Sequence, residues 1–141
     1  MENKEVLSLA KHFYNNYPDA RRFAFWKLLS LMDRHRDKLI CVKEDGKILG
    51  SALYLRLNDE DIKNIIYGEI SIGNPEIAQD LLSRKGDNIH FIYVFADGEK
   101  TILKGLKKVI KKENPRSVSW YKPNMELRFI KFRRILCHQS Q

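Results

Sequence analysis

Histidine, cysteine and carboxylate side chains could do chemistry in this sequence, and most of them are not spaced for it. His12, His35, His90 and His138 fall at no metal-ligand interval. Cys41 and Cys137 make neither a zinc motif nor a disulfide framework. No serine or cysteine stands in the strand–turn–helix setting of a nucleophile elbow. The acidic run Asp59-Glu60-Asp61 reads as charge at a helix N-terminus. Phe95–Thr101 (FADGEKT) holds Gly, Lys and Thr, but it lacks the glycine before the lysine and the earlier glycine of a nucleotide-binding loop. That excludes nucleoside-triphosphate hydrolysis at this segment. Three candidates for acid–base work remain: His90 and Tyr93 inside one apolar run, and Glu69 in the connector before it. A histidine in such a run is more often a satisfied core residue than a catalyst. Its use depends on which face of the strand meets a cleft.

The stretch that must position these groups is Asn88–Arg116. Ile89–Phe95 is apolar but for His90 and the Tyr93 hydroxyl, with no alternation. The pattern predicts a central strand buried on both faces. Ala96-Asp97-Gly98 breaks the run as a tight turn, and from Glu99 the period becomes helical. Ile102, Leu103, Leu106, Val109 and Ile110 form the expected apolar stripe, with Lys104, Lys107, Lys108, Lys111 and Lys112 opposite. Asn114-Pro115 ends the helix, because a residue before proline leaves the α region. Such a turn frees backbone N–H groups from about Gly98 to Thr101 at the positive end of the helix dipole, where an anion could bind. An ordinary strand–helix crossover gives the same pattern. If φ is positive at Gly98, a side chain there strains the turn.

The 141 residues fit one domain, residues 1–141, of mixed α+β class. A 43% apolar and 11% aromatic composition predicts a packed core. No run is long enough for a membrane span, and the N-terminus lacks a signal-peptide core. The expected setting is therefore reducing and cytoplasmic. The net charge of +8 is uneven. Residues 98–141 hold twelve basic and three acidic side chains, whereas residues 58–97 hold three and eight. The basic face of residues 100–134 suits a phosphate-bearing or acidic partner, or merely keeps the protein soluble.

Residues 3–16 predict a first helix with Val6, Leu9, Ala10, Phe13 and Tyr17 on one face. Asp19 is the expected N-cap of a second, from Ala20 to about Arg34, whose Phe23, Trp26, Leu29 and, one turn on, Met32 or Asp33 form a core face widened by Phe25 and Leu28. Leu39–Glu44 and Lys47–Leu57 flank Asp45-Gly46, a hairpin signal, with a bulge expected at Gly50-Ser51. Asn58 caps a short helix, Asp59–Ile66, and Asn74-Pro75 opens another, Glu76 to Arg84. Ser117–Tyr121 and Glu126–Arg133 are expected to close the chain as a hairpin around Tyr121–Asn124. The result is two N-terminal helices, a central twisted, mostly antiparallel sheet, one crossover helix and a C-terminal hairpin.

This order resembles the GNAT superfamily of N-acetyltransferases: two helices, the hairpin Lys38–Leu57, the strand Ile89–Phe95, the helix Glu99–Glu113 and the strand Ser117–Tyr121. In that family the strand-to-helix turn holds the pyrophosphate of acyl-coenzyme A on backbone N–H groups. The resemblance places a cofactor site for acetyl-CoA or another acyl-CoA at Phe95, Ala96, Gly98, Lys100 and Thr101. Of the family's glycine-rich loop only Gly98 stands here, and there is no room between Tyr121 and Glu126 for its usual fourth helix. Gly86-Asp87, His90-Phe91-Ile92, Ala96 and Gly98 are also similar to a pattern of the toxin-activating lysine acyltransferases. Their strand aspartate falls on Tyr93, and no catalytic residue carries over. The resemblance implies an acyl-CoA-dependent N-acyltransferase acting on an amine or protein acceptor, with His90, Tyr93 and Glu69 as candidate bases. A small basic chain of this make-up also fits a phage or mobile-element origin. The alternative is a non-enzymatic module that binds nucleic acid or an acidic protein through Lys104, Lys108, Lys111, Arg128 and Arg133.

Overall fold

The computed structural model describes residues 1–18, 20–68, 75–122 and 126–132. The expected cap Asp19, the connector with Glu69, and Arg133 lie outside them. Helix α1 (Asn3–Asn16) buries Val6, Leu9, Ala10 and Phe13 at helical spacing. Ala20–Arg22 makes only a 3-10 turn, and helix α2 begins later, at Phe25–Arg34. Strands β1 (Leu39–Glu44) and β2 (Lys47–Leu57) follow as a hairpin. Asp45 (φ 51°) and Gly46 (φ 77°) both take positive φ, which matches the turn to the strands' twist. Helix α3 (Asp59–Ile66) starts at Asn58, whose side chain accepts from the Asp61 N–H at 2.7 Å. Helix α4 (Pro75–Leu82) stops two residues short of the expected Arg84. The buried Lys38 ammonium donates to the Leu82 carbonyl and so satisfies one of its last acceptors.

Strand β3 (Asn88–Ala96), helix α5 (Glu99–Glu113) and strands β4 (Ser117–Tyr121) and β5 (Leu127–Lys131) complete the chain. Among the described residues the sheet runs β1-β2-β3-β4-β5, antiparallel except for β3 and β4. Those two are parallel because α5 carries the chain back before β4 begins. Asn114 at φ 47° closes α5 as a left-handed C-cap.

Each face of the sheet has its own core. α1 to α4 cover one, where Phe13, Leu28, Met32, Leu53, Leu55 and Ile92 pack together. α5 covers the other, its Val109 packing with Tyr54, Ile89, Phe91 and Trp120. β3 serves both, since Ile89 and Phe91 face α5 while His90 and Ile92 face away from it. Its first five residues are buried, and of its last four Phe95 is exposed and the others half-buried.

Two expected core faces are rotated. Trp26 is 67% exposed, whereas Leu28 and Met32 lie in the core as expected and Leu31 joins them. The break after the 3-10 turn resets the helical phase, so Phe23 stays inside while Trp26 swings out. In α5, Leu103 is 56% exposed, and the buried side centres on Thr101, Gly105 and Val109. A Cβ at Gly50 would overlap Thr101 Cγ2, so the glycine is what lets the first turn of α5 settle on β2. Among the described residues no helix is long and apolar enough to cross a membrane.

Candidate functional site

β3 pairs with β2 along most of its length but with β4 only through Asn88–His90 against Ser117–Ser119. Beyond His90 the parallel pair opens. At the last rung His90 Nδ1 and Ser119 Oγ are 2.8 Å apart, and the imidazole meets the Tyr121 ring edge-on at 5.8 Å. Asn88 supports the first rung by accepting from the Ser117 hydroxyl at 2.7 Å and donating to the Leu57 carbonyl. His90 is 1% exposed, and burial lowers its pKa to about 4. It is a neutral core histidine at the apex of a cleft.

Past the apex, the register between β2 and β3 shifts between Ser51 and Leu53, with one residue extra on β3. Tyr93 stands there at φ 54°, a left-handed conformation uncommon for a bulky residue. Its ring packs 5.3 Å from Phe13 and 5.7 Å from Tyr17. The Tyr17 hydroxyl donates to the Val94 carbonyl at 2.6 Å, and burial pushes the Tyr17 pKa up to about 12. Phe95 then emerges at 36% exposure and meets the His12 ring at 4.8 Å. Nothing in the sequence marks this bulge, since it holds neither glycine nor proline. The bulge expected at Gly50-Ser51 is present a residue earlier, where Leu49 is the extra residue of β2 against β1. The Leu49 carbonyl accepts from the Asp97 N–H at 2.9 Å, which fixes the turn out of β3.

The turn differs from the expectation in one respect. Gly98 has φ 174°, extended backbone open to any residue, and a Cβ there would meet nothing within 4 Å. The Asp97 carboxylate accepts from the Thr101 hydroxyl rather than capping backbone donors. The first intrahelical bond recorded at this end joins the Ile102 N–H to the Gly98 carbonyl at 3.2 Å. The N–H groups of Glu99, Lys100 and Thr101 therefore have no acceptor within the helix. Lys100 is exposed beside them, Ala96 is half-buried, and the Thr101 side chain is turned into the core.

From this helix start a groove of about 260 Å³ runs between α5 and the β4–β5 pair. Ile102, Leu103, Leu106, Trp120 and Ile130 give it an apolar lining, and its charged groups are Lys122, Arg128 and the carboxylate Glu99. Beneath α5 a smaller apolar cavity of about 50 Å³ shares Ile102, Leu106 and Trp120 with that groove. Arg128 thus belongs to the groove rather than to the lysine face. Lys104 and Lys111 are exposed on the outer side of α5, whereas Lys108 Nζ turns back to the Cys41 carbonyl at 3.1 Å. Lys112 likewise donates to the Asp37 carbonyl.

Two polar groups that sequence reasoning did not single out lie beside Phe95. His12 Nε2 and Ser51 Oγ are buried without a hydrogen-bond partner among the described residues, and Ser51 is the residue paired with Phe95. Their signal in sequence is slight: a histidine one turn before Asn16 on an otherwise ordinary helix, and a serine after glycine in a strand.

No family model matches the sequence, and no curated protein matches it. Among solved structures it is similar to a chain described as "GphF GNAT-like decarboxylase in complex with isobutyryl-CoA", at a TM-score of 0.56 and 12% identity. The alignment covers 85% of this chain and 62% of that one, so this protein spans under two thirds of its neighbour's length. With its helices, its mostly antiparallel sheet and its opened parallel pair, the chain has a distant, degenerate GNAT-like fold.

Proposed function

We propose that this GNAT-like module binds an acyl-coenzyme A and presents the thioester at the Tyr93 bulge for transfer of the acyl group to an amine. The observation that carries the reading is the opening of β3 from β4 after His90, on the strand that leads into a 15-residue helix. The end of β3 that has no partner in β4 suits the amide-bearing pantetheine arm. The N–H groups of Glu99, Lys100 and Thr101, which have no acceptor within the helix, suit its pyrophosphate together with the Lys100 ammonium. The apolar groove, with Lys122 and Arg128 in its lining, suits the remaining nucleotide part. The neighbour of similar fold holds isobutyryl-CoA, which agrees with a ligand of this class.

Transfer forms a bond from the amine nitrogen to the thioester carbon, expels the coenzyme A thiolate and releases one proton from nitrogen. His90 is a poor acceptor for that proton, because burial leaves it far less basic than an amine. Tyr93 is packed among aromatic rings, and Glu69 lies outside the described residues. In this reading His90 positions β4 at the cleft apex, and the acceptor amine loses its proton to solvent. The transfer rate should then rise with pH along the acceptor's own ionisation, without a plateau set by an imidazole. Calorimetry with acetyl-CoA and isobutyryl-CoA tests the binding step. Saturable heat that weakens with Lys100→Glu is expected, and no heat at millimolar ligand overturns the proposal.

A further inference from the structure

The most exposed tryptophan of the chain stands on the opposite side of the sheet from the proposed cofactor groove. Trp26 projects from α2 at 67% exposure, while Trp120, the other tryptophan, is 8% exposed. A side chain of this size normally finds a core, and this one lines a surface groove of about 680 Å³ between α2 and α4. Arg22, Lys27 and Arg34 line the same groove, against a single carboxylate, Glu76. Among the described residues Arg22 and Arg34 make no ion pair. The Lys27 ammonium lies 5.5 Å from the Trp26 ring centroid. From Trp26 to Arg34 the helix spans about 12 Å, so the cations lie along a line rather than at a point. Ser30 and Gln79 add neutral hydrogen-bonding groups to the walls.

We propose that this groove binds single-stranded nucleic acid, with Trp26 as the stacking platform for a base and Arg22, Lys27 and Arg34 as phosphate contacts. An exposed aromatic face flanked by cations is what an unpaired base and its backbone require. A duplex would keep its bases stacked and offer Trp26 only phosphate. An acidic peptide would use the cations and leave the indole unused. The lysine face of α5 has charge without an exposed aromatic ring, so it attracts polyanions without holding a base. The groove lies across the sheet from the coenzyme A reading and is independent of it.

Fluorescence titration at low salt with an oligothymidylate of about ten nucleotides tests this directly. Saturable quenching is expected, because Trp26 is the tryptophan open to solvent. Trp26→Ala should weaken binding roughly 5- to 100-fold, read by anisotropy of a labelled strand, while Trp26→Phe retains most of it. Arg22→Gln and Arg34→Gln should each reduce the slope of log affinity against log salt by about one. The α5 variant with Lys104, Lys107 and Lys111 all changed to Gln should leave the quenching in place. Circular dichroism confirms that each variant is folded. Absence of binding by the parent at low salt overturns the proposal. So does undiminished affinity in Trp26→Ala, or displacement of the strand by polyglutamate at equal charge concentration, which would mark the groove as a site for acidic protein.

Discussion

His90 sits on the last rung that joins β3 to β4, and its surroundings decide its protonation over the whole neutral range. Its folded pKa, about 4, lies below the ordinary value of 6.5. Stability from the neutral form is complete above 6.5 and drains away as pH falls toward 4, because the unfolded chain takes up the proton first. One such proton contributes a slope of at most about 1.4 kcal/mol per pH unit. Urea denaturation across this window should show the parent losing stability more steeply than His90→Gln. Equal slopes would mean that the imidazole is not buried. His12 and His35 are also held below their usual range by burial, so some slope remains in the variant. The sequence identified His90 as a residue inside a strand, but not its partner. Ser119 is 29 residues away and meets it only because of the parallel register.

At the scale of elements, the seat of α5 on the sheet depends on small residues. Gly50 admits Thr101, and a methyl group there would also stand 3.1 Å from the Phe95 carbonyl. Gly50→Ala should therefore cost about 1–3 kcal/mol in thermal or chemical denaturation, as overpacking does. Gly98→Val, where the backbone is extended and the space open, should change stability by less than about 1 kcal/mol. If the N–H groups at the start of α5 hold a pyrophosphate, the same Gly98→Val should still reduce coenzyme A binding by crowding them. A variant folded and binding as the parent does would move the anion elsewhere. Small residues also explain why the helix face was misjudged from sequence. Thr101 and Gly105 look polar or neutral, yet they mark the close approach, and the larger Leu103 is left outside. Element order and most boundaries were legible because periodicity records them. Helical phase was not, because a break such as that before Phe25 leaves no mark on composition.

For the whole molecule, the sheet separates two cores, and β3 is the strand common to both. Ile92, 8% exposed on the helical side, should cost about 2–5 kcal/mol on truncation to alanine, measured by chemical denaturation. A cost near zero would contradict the central position of the strand. The uneven charge seen in the sequence also resolves into separate surfaces. Lys108 and Lys112 fasten α5 to the backbone of neighbouring segments, Arg128 lines the apolar groove, and the cations beside Trp26 lie across the sheet. Charge counting located an excess in the last third of the chain, and only the fold distinguishes these uses. The cleft itself was legible as a strand-to-helix turn, while its width, bulge and apex came from pairings between residues far apart in sequence.

Those three rungs between β3 and β4 also set how the sheet comes apart. With so short a seam, the β4–β5 hairpin is the part of the sheet most free to detach while the rest stays folded, a local opening of the kind hydrogen exchange detects. A molecule lodged in the cleft acts then as a splint across the seam. It should slow exchange in Ser117–Tyr121 and Leu127–Lys131 by the measure of its own affinity, and so convert ligand binding into rigidity of one edge of the sheet.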